Sequence, residues 1–237
     1  MAGSALKLMA PSGDRLALRL ADDARVQAVT TNVRFVGGAY SRAFQIGSRG
    51  YHEFVRTHMI KAAPTDRFVV KGRETVVAAT ADGSMTIVTL KERYHELMTF
   101  FTGPPPSRKK LIGLFDTLEI QDHPRGMRVR PERFTQGDTA TEQVAVMVAD
   151  RGTIVVPGQK QARNLVPKHR GKSTRRGGEM WRVPLPGRAG STSEHDYLYV
   201  VAGAKGAAEV RIAQGGGLDT GALLDWVDGI DAAWNEA

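Results

Sequence analysis

The apolar and polar positions of this chain switch repeatedly between a period of two and a period near three and a half. Leu16, Leu18 and Leu20 share one face while Arg15, Ala17 and Arg19 share the other, as in a half-buried strand. A polar turn at Asp22-Asp23 leads into Val26 to Val36, rich in β-branched residues, which predicts a second strand paired to the first. Residues Tyr40 to Ile46 fit either a short strand or a loop. From Ser48 to Ala63 the apolar residues Tyr51, Phe54, Val55, His58, Met59 and Ala62 recur at three and four, which predicts a helix. Ser48 is its expected N-cap, and Pro64 stands just past its end.

Extended segments follow at Arg67 to Val70 and Glu74 to Thr80. The Asp82-Gly83 pair then joins Met85 to Leu90 as a hairpin. A second helix is expected from about Glu92 to Phe101, stopped by Pro104, Pro105 and Pro106. Ser107 opens a third, with Leu111, Leu114, Phe115 and Leu118 on its apolar face. Gln121 to Asp138 is rich in Pro, Gly and charge and marks the expected boundary.

Beyond it, Gln143 to Val148 and Thr153 to Val156 read as strands, Gln159 to Leu165 as a short helix and Met180 to Val183 as a strand. Tyr197 to Ala202 and Ala208 to Ala213 form a hairpin. A closing helix over residues 220–235 is capped by Asp219 or Thr220 and lined by Leu223, Val227, Ile230 and Trp234. The expected class is α+β: antiparallel sheets each covered by amphipathic helices, arranged as two related sheet-plus-helix lobes, 1–131 and 132–237. Lys71-Gly72-Arg73-Glu74 followed by Leu111 to Asp116 parallels Gly177-Gly178-Glu179 followed by Leu223 to Asp228, as a degenerate duplication would.

Charge changes the picture locally. Residues 160–188 hold nine Lys or Arg and one acid, Glu179, an excess equal to the formal net charge of the whole chain, +8. The rest of the chain is balanced, so a polyanion or an acidic partner would be felt here. Lys168, Arg170, Lys172, Arg175 and Arg176 are the candidate binding cations, with Trp181 as a stacking group or a core anchor. Pro167, Gly171, Gly177 and Gly178 make the stretch a loop, which argues against a recognition helix reading a DNA groove. From Leu218 onward there are four Asp, one Glu and no Lys or Arg, and Asp225, Asp228 and Asp231 form a candidate acidic partner face. The two patches could attract each other within one chain or between copies.

Candidate catalytic chemistry is thin. Gly171-Lys172-Ser173-Thr174 ends like a phosphate-binding loop, but Pro167 stands where the first glycine belongs. The six histidines lack metal-ligand spacing, and the chain has no cysteine, so neither a cofactor nor a metal is expected. Gly47-Ser48-Arg49-Gly50 falls one residue short of a nucleophile elbow. Asp122 and His123 are the one acid–base pair worth naming.

With 41% apolar and 24% charged residues the composition is that of a folded chain, not a disordered one. No apolar run reaches membrane-spanning length, and the first residues do not resemble a secretory signal. These features point to a non-enzymatic structural or adaptor protein, cytoplasmic or part of an assembled particle, acting through protein partners or self-association. The alternative is a nucleic-acid-binding accessory protein using residues 160–188. An enzyme built on scattered residues ranks third.

Overall fold

The structure is a computed structural model that describes residues 5–37, 41–133, 135, 137–215 and 217–235. In chain order it opens with strands β1 (Ala5–Met9), β2 (Arg15–Arg19), β3 (Val26–Val36) and β4 (Ser41–Ser48). Helix α1 (Tyr51–Phe54) runs into a π-helical turn, Val55–Met59. Strands β5 (Ala62–Val70), β6 (Arg73–Thr80), β7 (Met85–Lys91) and β8 (His95–Thr102) follow, then α2 (Arg108–Asp116), β9 (Leu118–His123) and β10 (Gly126–Pro131). The second half contains β11 (Thr139–Val148), β12 (Gly152–Pro157), α3 (Gln159–Leu165), β13 (Lys172–Ser173) and β14 (Glu179–Pro184). After a 3-10 turn at Glu194–Asp196 come β15 (Tyr197–Gly203), β16 (Gly206–Ile212), α4 (Thr220–Asp228) and β17 (Asp231–Asn235).

The protein is mostly β, 52% strand against 16% helix, with a 12-stranded antiparallel sheet and a few small helices. This corrects the expected α+β class of helix-covered sheets. Two segments account for most of the difference. Residues 92–101 contain good helix formers such as Glu96, Leu97 and Met98, yet β7 offers them a full antiparallel ladder, Leu90 opposite Leu97 and Val88 opposite Thr99. Both faces of that ladder are buried, so its apolar residues run together and mimic a helix stripe. The closing helix ends at Gly229, and Asp231–Asn235 instead pairs with β2, Trp234 opposite Leu16 and Ala232 opposite Leu18. The helix expected over 48–63 is likewise short: its N-cap is Gly50, at φ 91, and Ala62 already belongs to β5. Ser48 ends β4 and caps nothing by its side chain. The segment left open as strand or loop is β4, except for Tyr40, which lies outside the described residues.

The chain forms two compact units, one of Met1–Ala10, Asp14–Val29 and Gln143–Ala237, the other of Pro11–Gly13 and Thr30–Glu142. In the first, Leu16, Leu18, Val144, Val146, Ile154, Tyr199, Val210, Trp226 and Trp234 belong to one buried cluster. In the second, the strands carry apolar residues on both faces. Val77, Val88 and Leu90 pack with Leu111 and Phe115 of α2, while Ala78, Ile87 and Met98 pack with Val55 beside α1. The strand orders β3-β4-β8-β7-β6-β5 and β11-β12-β16-β15-β14-β13 follow the same path, a hairpin, a helix and then a four-stranded meander. The turns at Lys71-Gly72 and Gly177-Gly178 stand at matching points of the two paths, as do α2 and α4.

Candidate functional site

The basic stretch is an ordered loop built on β14. Trp181, at the centre of that strand, is buried, and its indole N–H donates to the carbonyl of His169 at 2.8 Å. Gly171 lies flat against the same ring: a Cβ there would come within 2.7 Å of the indole and 2.8 Å of the Met180 carbonyl. Any side chain at 171 would push the loop off the strand. The Gly171 N–H donates to a carboxylate oxygen of Glu179 at 3.2 Å, so the one acid of the stretch is used to hold its own loop.

Past β13 the chain makes a tight turn. The Thr174 N–H donates to the Gly178 carbonyl at 2.9 Å, the Gly177 N–H donates to the Thr174 carbonyl at 3.1 Å, and the Thr174 hydroxyl accepts from the Gly178 N–H at 3.0 Å. That turn directs two arginines at the C-terminus of α4, where backbone carbonyls lack helical partners and the helix dipole is negative. Arg175 donates from Nε to Asp228 at 2.6 Å and from Nη2 to Asp225 at 2.9 Å. Arg176 donates to the carbonyl of Gly229 at 2.6 Å. The bond to Asp228 is the main cause holding the Arg175 guanidinium pKa above its ordinary value, with the charge of Asp225 adding to it. Asp231 is apart from this group: it sits on β17, 3.8 Å from Arg19.

The candidate cations therefore divide in two. Arg175 and Arg176 are spent inside the unit. Arg182 pairs with Glu194 at 2.8 Å and covers the Tyr197 ring at 3.4 Å, and Arg188 faces Asp196 at 3.6 Å. Lys160, Arg163, Lys168, Arg170 and Lys172 are exposed, and among the described residues none of them has a carboxylate partner. Trp181 is an anchor under the loop, so its ring is not presented for base stacking.

The Asp122–His123 pair is not brought together as an acid–base couple. His123 is exposed in the β9–β10 turn, where its Nδ1 accepts from the Arg125 N–H at 3.3 Å. Asp122 instead holds His95, Oδ1 to Nδ1 at 2.7 Å, and accepts the Tyr94 N–H at 2.6 Å. The carboxylate clamps the β7–β8 turn onto β9 and orients an imidazole, a partnership hidden from sequence by reading 92–101 as a helix. Among the described residues no group of three or more His, Asp or Glu is placed to hold a metal ion, and no helix is long and apolar enough to cross a membrane.

No family model, no curated protein and no solved structure matches the chain.

Proposed function

We propose that the protein is a non-enzymatic adaptor whose basic loop docks an acidic protein partner. The observation that supports this reading is the division of cations within one fixed loop. Trp181, Glu179, Asp225 and Asp228 immobilise the segment, while Lys168, Arg170 and Lys172 stay exposed, without counter-charges among the described residues. A pre-ordered loop loses little conformational freedom when it binds, so its charges act on affinity and encounter rate together. The acidic helix end is already occupied by Arg175 of the same chain, which favours a foreign acidic surface over a second copy as the partner.

A titration at low salt with a Glu-rich peptide and with a single-stranded oligonucleotide of equal length tests this. The adaptor reading expects saturable peptide binding that weakens with salt and is lost in the Lys168→Ser/Arg170→Ser/Lys172→Ser variant. Preference for the oligonucleotide, with a salt slope that falls on the same substitutions, would instead establish the nucleic-acid reading.

A further inference from the structure

A second feature lies in the unit formed by residues 30–142. Between the outer flank of α2 and the strands β4 and β8 there is an open groove of about 430 Å³. Its apolar surface comes from Phe101, Pro106, Leu111 and Leu114, and its two charged groups are Arg42 and Lys110. Among the described residues no carboxylate lines it. Arg42 is fixed in place: its guanidinium lies over the Phe101 ring, 4.1 Å from the centroid, and Nη1 donates to the Phe100 carbonyl at 3.3 Å. Among the described residues the remaining guanidinium N–H groups have no acid to meet. The nearby Arg108 shows the contrast, since it is held by Asp66 at 2.6 Å and faces the Phe68 ring outside the groove.

A half-buried guanidinium without a counter-ion, set beside an apolar trough, gains most from an anion that brings its own hydrocarbon. We propose that this groove binds a small amphipathic carboxylate. Its carboxylate is held by Arg42, whose planar fork matches two oxygens, with Lys110 as a second charge, and its body lies on Phe101, Pro106 and Leu114. This site is independent of the basic loop and stands or falls without it.

Gly113 supplies a clean test. It lies in α2 at the groove, and a Cβ built there meets nothing within 4 Å. Gly113→Leu therefore adds bulk at the groove without a clash while raising helix propensity, so the variant is expected to melt no lower than the wild type. Calorimetric titration of the full chain with decanoate should show saturable one-to-one binding. Decanol, with the same body and no charge, should bind about tenfold weaker or worse. Gly113→Leu should weaken decanoate binding, and Arg42→Gln should weaken it about tenfold with no more than a small fall in melting midpoint. Absence of saturable decanoate binding, equal affinity for decanol, or undiminished binding in Gly113→Leu would each overturn the proposal.

Discussion

Trp181 and Gly171 decide whether the basic stretch is a tail or a platform. One gives a buried ring with its N–H tied to His169, the other the missing side chain that lets the loop lie on that ring. Trp181→Phe removes the hydrogen bond to His169 and part of the ring on which Gly171 lies, a loss of about 1 kcal/mol or more. Its more telling effect is local: trypsin should cut near Lys168, Arg170 and Lys172 much faster in the variant than in the wild type. Equal cleavage rates would mean that the indole bond does not hold the loop.

A different residue contributes to the loss of stability in acid. His52 is buried in α1, its Nδ1 2.7 Å from the Thr89 hydroxyl and its backbone N–H donating to Glu96 at 2.7 Å. Burial pushes its pKa below the ordinary 6.5, with Lys91 and Arg56 acting the same way and Glu96 and Glu53 opposing. The folded imidazole thus resists a proton that the unfolded chain accepts. Its contribution is complete above pH 6.5 and is lost as pH falls toward the folded value. Urea midpoints measured from about pH 8 to about pH 5 should fall more steeply for the wild type than for His52→Asn, and parallel curves would remove His52 from the account.

At the scale of elements, much of the strand pattern could be read from residue periodicity. The Val26–Val36 strand, the turn at Asp82-Gly83, α3 and the β15–β16 hairpin were all legible locally. Val26–Val36, however, pairs with β4 and not with β2 as expected, because β2 lies between β1 and β17. Helix α2 begins after Ser107, as its spacing implies. What periodicity missed was partnership. Residues 92–101 became a strand because β7 was there to pair with them, and Asp231–Asn235 because β2 was. Ser48 looks like a cap only when the register of β4 against β8 is unknown.

The candidate site shows the same division. Its cations, its acids and its lack of a long helix were legible in composition and in the positions of Pro167, Gly171, Gly177 and Gly178. Their pairing was not, since Arg175 finds Asp225 and Asp228 some fifty residues away, and Asp122 turns from its neighbour His123 to His95. Distances of that kind are set by the sheet order, which local pattern does not contain.

On the scale of the whole molecule, the net charge of +8 overstates the free charge of the loop that carries it. Arg175, Arg176, Arg182 and Arg188 are engaged with α4 and with the Glu194–Asp196 turn. The first two fasten the loop to a helix end, and Lys168, Arg170 and Lys172 face outward. The central claim is that these two groups of cations do different work. The most direct measurement compares Lys168→Ser/Arg170→Ser/Lys172→Ser with Arg175→Ser/Arg176→Ser, reading Glu-rich peptide affinity and melting midpoint for each. The account expects the first variant to lose about tenfold or more in affinity with its midpoint unchanged, and the second to lose midpoint first. A second variant that loses binding as severely while melting like the wild type would contradict it.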